Sequence, residues 1–111
     1  MFYVQGTDIK ITRGDNAQLS VDLINADGSA YVMQNGDKLY LTVNVGARQG
    51  EPLLQLLADS QATFRFVPES TKPLEFGKYK YDIQLSTATG EVYTVIPVSK
   101  FEVLEEITWN G

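Results

Sequence analysis

From Gly77 to Leu85 the chain reads Gly-Lys-Tyr-Lys-Tyr-Asp-Ile-Gln-Leu, large apolar and polar side chains in alternation. Period-two alternation puts one face of an extended segment in a core and the other in water. It predicts a strand over Gly77–Ser86. The same pattern recurs at Lys38–Val45, where Leu39, Leu41, Val43 and Val45 point one way and Lys38, Tyr40, Thr42 and Asn44 the other. It predicts Asp8–Thr12, with Ile9 and Ile11 inward, and Ala17–Ile24, with Leu19, Val21 and Leu23 inward. It also predicts Ala62–Val67, with Ala62, Phe64 and Phe66 inward. Leu53–Leu57 is too short to declare a period. A strand is expected there, because Asp59-Ser60 leaves no room for a helix. The final strand, Glu91–Val103, contains Pro97, which cannot donate to a ladder. That strand should therefore lie on an edge or bulge, with Tyr93 and Val95 inward before the proline and Phe101 and Val103 inward after it.

Turn chemistry separates these segments. Arg13-Gly14-Asp15-Asn16, Asn25-Ala26-Asp27-Gly28, Gln34-Asn35-Gly36-Asp37 and Thr87-Ala88-Thr89-Gly90 each combine glycine with small polar residues. Gly46–Pro52 reads as a loop, Tyr31-Val32-Met33 as a short paired segment, and residues 105–111 as a tail. Between Pro68 and Pro73 the chain should cross from one sheet to another. Pro68 can open one helical turn, and Pro73 disfavours helix at Lys72.

About seven short antiparallel strands in roughly a hundred residues predict an all-β immunoglobulin-like sandwich, with a small barrel as the alternative. Leu74, Gly77 and Tyr79 sharpen the first reading. In a tyrosine corner, a tyrosine near the start of the sixth strand sends its hydroxyl back to the preceding connection. Tyr79 stands in that place, Leu74 would plug the core beneath it, and Gly77 would allow the tight entry. The residue two beyond the tyrosine, a cysteine in antibody domains, is Tyr81, so packing must replace the inter-sheet bridge. No tryptophan lies on Lys38–Val45, so an antibody-type domain is not expected.

Composition narrows function mainly by exclusion. The chain has 111 residues, which predicts one domain, with an ordered part over about 8–104. Its net charge is −5, and its nine lysines and arginines are scattered, so neither nucleic acid nor an anionic membrane surface is expected as a partner. There is no cysteine and no histidine, which removes disulfides, thiol catalysis, zinc–thiolate sites and the commonest general base. Met1 is followed by Phe-Tyr-Val-Gln-Gly, without the charged and apolar regions of a signal peptide.

Several residues invite a chemical reading. Arg13-Gly14-Asp15 spells the integrin-binding tripeptide, but Gly-Asp is an ordinary turn pair and a tight turn is expected. Asp8, Asp15, Asp27, Asp37 and Asp59 could supply calcium oxygens, yet no stretch matches the spacing of a calcium loop, so no metal is expected. Asp82 and Glu91 lie near the Thr87–Gly90 hairpin and could form a carboxylate pair for glycoside chemistry. Every acidic residue also fits a turn or an outward face. No catalytic or cofactor-binding residues are assigned, and an enzyme is not expected. Tyr40 and Trp109 are candidates for stacking on sugar or anchoring a protein interface.

Several segments together carry a family likeness: Ile-Thr-Arg-Gly-Asp-Asn-Ala at 11–17, Ala-Asp-Gly-Ser-Ala-Tyr at 26–31, Asn-Gly-Asp-Lys-Leu-Tyr-Leu-Thr-Val at 35–43, Phe-Gly-Lys-Tyr-Lys-Tyr-Asp-Ile-Gln-Leu at 76–85, Val-Tyr-Thr-Val-Ile at 92–96 and Phe-Glu-Val at 101–103. In order and spacing the chain resembles the small immunoglobulin-like domains of tailed-phage virion proteins, especially the N-terminal domain of baseplate upper proteins. The resemblance implies a non-enzymatic structural role in a baseplate, tail or capsid decoration. It implies other virion proteins as partners, homo-oligomers set by virion symmetry, and a virion location. It carries over no catalytic residues. In that family coiled-coil and attachment regions follow this domain, and here the sequence ends at Gly111. The alternative is a cell-surface or carbohydrate-binding module.

Overall fold

A computed structural model of the chain describes residues 2–5, 7–45 and 52–105. The strands, in chain order, are β1 (Phe2–Gln5), β2 (Asp8–Thr12), β3 (Ala17–Ser20), β4 (Lys38–Asn44), β5 (Leu54–Leu57), β6 (Thr63–Phe66), β7 (Gly77–Ser86) and β8 (Val92–Leu104), with a single helical turn, α1 (Pro68–Thr71), between β6 and β7. One sheet has the order β1-β2-β8-β7-β4-β5, and β3 and β6 form a second, two-stranded sheet. The protein is all-β. It has eight strands among the described residues rather than about seven. The large sheet is mixed rather than wholly antiparallel, because β2 runs parallel to β8, pairing Ile9 with Phe101 and Thr12 with Leu104.

The alternation in the sequence becomes the core. Ile9 and Ile11 of β2, Leu39, Leu41 and Val43 of β4, and Ile83 of β7 are fully buried, as are Phe64 of β6 and Phe101 of β8. Each such side chain contributes about 1.5–3 kcal/mol through removal from water. The two sheets meet through Phe66 and Phe101, whose rings stack with centroids 6.1 Å apart, and Tyr81 meets Phe101 edge-on at 6.2 Å. Tyr81 is 2 % exposed, and its hydroxyl donates to the Thr7 carbonyl. A large aromatic thus fills the central position that the sequence left without a cysteine.

Where expectation and structure part, the small size of the second sheet is the main reason. Tyr93, expected inward, is 51 % exposed, because the upper half of β8 overhangs β3 and β6. Val95 is only partly buried. Val45 is 63 % exposed, one residue beyond Asn44, where pairing with β7 ends. The Ala17–Ile24 strand stops at Ser20, although Val21 still donates to the Ala62 carbonyl at 2.9 Å and Leu23 remains buried. The paired segment expected at Tyr31–Met33 reduces to one bridge between Ile24 and Ala30, with the Tyr31 amide donating to Leu23. β1 was not legible in the pattern. The expectations for Gly46–Glu51, Trp109 and most of the tail lie outside the described residues.

Pro97 sits in a double irregularity of β8. Between the pairs Tyr81–Ser99 and Ile83–Ile96, and again between Ile83–Ile96 and Gln84–Thr94, β8 spends one more residue than β7. The proline, which has no N–H to give, is thereby taken out of the ladder. Ser99, buried at the lower end of the bulge, donates to the Pro97 carbonyl and Thr7 Oγ1 at 2.8 and 2.9 Å.

A polar clamp holds the Pro68–Phe76 crossing. The Tyr79 hydroxyl donates to the Glu75 carbonyl at 2.7 Å, and Leu74 is buried beneath it. Gly77 enters β7 at φ +143°, a conformation that side-chain-bearing residues rarely adopt. From the other side, Arg13 Nε donates to the carbonyls of Lys72 and Leu74, both at 3.0 Å, and Nη2 donates again to Lys72. The guanidinium also lies over the Phe76 ring, 5.9 Å from its centroid. The Gly14 amide donates to Oγ1 of the fully buried Thr71 at 2.8 Å. Arg13-Gly14 is therefore a structural latch. Val67 donates to Ser70 Oγ at 3.0 Å and closes the start of α1, with Pro68 at its first position.

Arg13→Ala is expected to cost about 2 kcal/mol, because charge-assisted bonds to two carbonyls are lost together. Arg13→Lys should recover less than half, since an ammonium cannot reproduce the fork. Urea unfolding of the three proteins checks both, and a Lys variant as stable as the parent would refute the role given to the fork. A second expectation concerns Tyr81, whose phenol is pushed up to about 12, first by burial and then by the negative charge of Asp8. A folded value raised above the ordinary 10.0 means that its contribution is complete below pH 10 and is lost as pH climbs toward 12. Phenolate absorbance during alkaline titration should show an ionisation near 12 that disappears in Tyr81→Phe.

Candidate functional site

The Asn25–Asp37 segment and the β7–β8 hairpin meet at one end of the sandwich. Their turns form for local reasons. The Asn25–Gly28 turn is closed by the Gly28 amide on the Asn25 carbonyl at 2.9 Å, with Gly28 at φ +90°. Asp27 Oδ1 accepts from the Ser29 amide and hydroxyl at 2.9 and 2.6 Å, which lowers its pKa. In the Thr87–Gly90 hairpin the Thr87 amide donates to the Glu91 carbonyl at 2.8 Å, and the Glu91 amide returns to Thr87 Oγ1 at 3.0 Å.

Asp37 joins the two. Its Oδ2 accepts from the Tyr31 hydroxyl and from the Gln34 amide at 2.9 Å, and its Oδ1 accepts from the Ala88 amide at 3.1 Å across the gap. Donation from Tyr31, then from Gln34, outweighs partial burial and holds the carboxyl below its usual range. The same bond raises the Tyr31 phenol. The approach is close: a Cβ on Gly36 would stand 2.8 Å from Ala88 Cβ. A second tyrosine–carboxylate pair lies at the start of β8, formed by Tyr93 and the preceding Glu91. The Tyr93 hydroxyl donates to Glu91 Oε2 at 2.7 Å and Thr89 donates to Oε1 at 3.1 Å, which raises the Tyr93 phenol.

Between these pairs opens a cleft of about 800 Å³. Leu23, Leu85 and Val95 supply apolar lining, and Asp22, Asp37 and Glu91 supply charge; among the described residues no lysine or arginine lines it. Its volume falls within the range of ligand-binding clefts.

The other candidates are placed differently. Asp8 Oδ1 accepts from the Lys100 amide at 3.2 Å. Asp59 caps its own turn through the amides of Gln61 and Thr63, and pairs with Arg65 at 3.9 Å. Asp15 belongs to the Arg13–Asn16 turn, where its amide donates to the Thr12 carbonyl at 3.1 Å. Among the described residues no group of three or more acidic side chains is arranged to hold a metal ion. Asp82 is raised by partial burial. It does not line the cleft, and it lies four residues down β7 from Ser86, the partner of Val92. That is a separation of about 14 Å along the strand, so Asp82 and Glu91 do not form a carboxylate pair. Tyr40 stands at the middle of the outer face, half-buried, with Leu57 and Gln84 as its cross-strand partners. Of the named candidates among the described residues, only Asp27's turn, Asp37 and Glu91 reach the cleft end. Tyr31 and Tyr93 were missed as site residues. Glu91 and Tyr93, two apart on one strand, share a face and could have been paired from sequence; the six-residue span from Tyr31 to Asp37 has no such periodicity.

No helix among the described residues is long and apolar enough to cross a membrane.

Asp37→Asn should loosen either the hairpin contact at Ala88 or the turn at Gln34 at neutral pH. Either orientation of the amide turns its N–H₂ toward a donor, Gln34 on one side or Ala88 on the other. Loss of exchange protection at Ala88 or Gln34 measures this. In the parent, a carboxyl held below 3.8 stabilises the contact fully above that pH, and the contribution fades as pH falls through the lowered value. The same amides should therefore loosen on acidification, and the Asn variant should lack that response. An acid response that persists in the variant would reassign the contact.

No protein-family model matches the chain, and comparison with curated proteins finds no significant match.

Proposed function

We propose that this chain is an immunoglobulin-like sandwich that serves as a non-enzymatic assembly module of a tailed-phage particle, acting through protein–protein contacts. The observation that carries the fold is the clamp at Tyr79. A tyrosine corner at the start of β7, with β8-β7-β4-β5 facing β3–β6, matches the G-F-C-C′ and B-E strands of an immunoglobulin-like sandwich. On that assignment β2 is the strand that runs parallel to G. The phage setting rests on the sequence segments given above.

The surface suits a module that works by contact. Ile24, Val92, Tyr93 and Val98 are large apolar side chains left exposed, three of them along one strand. The cleft's phenols are committed to carboxylates rather than converged on an open centre. One observation favours a second reading, a carbohydrate-binding module: two tyrosines flank a cleft that also holds carboxylates. Tyrosine hydroxyls already donated to Asp37 and Glu91 have less to offer a sugar, so the assembly reading is preferred.

The test is the particle itself. Virions released from the source strain after prophage induction, purified and analysed by quantitative mass spectrometry, should contain the chain at a fixed ratio to tail proteins after high-salt washing. Particles free of the chain would overturn the reading. Specific binding on a glycan array, abolished by Tyr93→Ala, would favour the second.

A further inference from the structure

We propose that the groove between residues 21–24 and the upper edge of β8 accepts an extended basic segment of another polypeptide as an added strand. The inference deepens the assembly reading and rests on its immunoglobulin-like frame.

The edges come first. β8 is paired on both sides only over Phe101–Leu104; over Val92–Val98 its partner among the described residues is β7 alone. On the facing side, Val21 donates to Ala62, Leu23 accepts from Tyr31, and Asn25 donates to Ser29. Backbone groups alternate sides along an extended chain. Asp22 and Ile24 therefore turn their amide and carbonyl groups the other way. Asp22, Ile24, Thr94 and Val95 all line the cleft. Two runs of backbone thus border one trough with an apolar floor of Leu23, Leu85 and Val95.

Topology explains the vacancy. β2 runs parallel to β8 and its ladder begins at Ile9–Phe101. A chain extended backward along the line of β2 would lie in the trough, where strand A of an immunoglobulin-like sandwich passes from its B neighbour toward G. Here the chain instead folds back into β1, which pairs antiparallel with β2 from Gln5–Asp8 to Phe2–Ile11. Among the described residues, no strand fills the place between residues 21–24 and the upper half of β8.

Charge selects the occupant. Asp22, Asp37 and Glu91 line the trough, no cation among the described residues does, and the chain as a whole carries −5. A guest with apolar residues on the floor and lysine or arginine toward the rim complements both features. The chain's own Phe2-Tyr3-Val4-Gln5 has no charge and is already paired. Pro97, without an N–H, and the register shift at Val95 limit the guest to a short added strand along Val92–Ile96, regular over Val92–Thr94.

The experiment titrates the ¹⁵N-labelled full chain at low salt with a capped octapeptide of alternating valine and lysine. Two control peptides replace lysine by glutamate or N-methylate every second residue, which blocks one hydrogen-bonding edge without touching the protein. Saturable shifts at Asp22–Asn25 and Val92–Ile96, with slowed exchange along Val92–Ile96, are expected from the basic peptide. The controls should bind at least about tenfold more weakly, and Asp22→Asn with Glu91→Gln should lose about tenfold in affinity, as for two exposed ion pairs. Absence of these shifts, or equal binding of the glutamate peptide, overturns the proposal. So do shifts that appear on concentrating the protein alone, which make the occupant a second copy, or shifts reproduced by maltohexaose, which make it a glycan. A chain present in virions that ignores the peptide loses only this inference; a chain that binds the peptide but is missing from virions loses the phage setting.

Discussion

The guanidinium of Arg13 on the carbonyls of Lys72 and Leu74 is the interaction on which the arrangement of the two sheets depends. A crossing between sheets strands backbone carbonyls where no ladder can take them, and an unpaired buried group costs about 1–3 kcal/mol. Here the β2–β3 turn, from the N-terminal part of the chain, answers carbonyls some sixty residues later, while Tyr79 answers Glu75 from within. The clamp therefore fixes three things at once: where β2 leaves the large sheet, where β3 starts the small one, and the angle at which β7 enters. The stacked pair of Phe66 and Phe101 follows from that placement, because each ring belongs to a strand that the clamp positions.

The opposite end is organised by weaker means. Asp37 holds the β7–β8 hairpin against the Asn25–Asp37 segment through one amide bond across the gap and two bonds on its own side. These groups are near water, where a hydrogen bond gains little over its hydrated alternative. The sandwich is thus locked at the crossing end and only pinned at the hairpin end. That asymmetry is the usual division between a rigid scaffold and the loops it presents.

How much of this was legible in sequence depends on the range of the interaction. Alternation recovered the inward residues of β2, β4, β6 and β7, because side-chain direction in a strand is a local property. Leu74, Gly77 and Tyr79 were legible because a corner is a short local motif with one chemical purpose. Arg13 was read as a turn residue, and it does sit in a turn, but its partners lie on a segment no local pattern connects to it. Tyr93 failed for a related reason: its alternation is sound, yet burial needs an opposing layer, and only the count of strands in the second sheet decides where that layer ends. At the cleft, Glu91 and Tyr93 were within reach of a period-two argument. Tyr31 and Asp37 were not, since their pairing depends on how an irregular segment folds over the hairpin.

The short second sheet links these failures to function. Two strands alone make a marginal sheet, and a sandwich usually extends or caps such a layer. In this chain the layer is neither extended by its own N-terminal segment, which folds back as β1, nor matched to the length of β8. Natural edges that must stay free are commonly blunted with charge, proline or a bulge. β8 carries a proline at Pro97 and bulges twice, once there and once at Val95, below Val92–Thr94. What is left without proline or bulge is Val92–Thr94, the end of the edge that borders the trough. The three carboxylates around the unprotected part then act as a filter. They repel the acidic surface of a second copy at long range, and they leave the edge open to a segment of opposite charge.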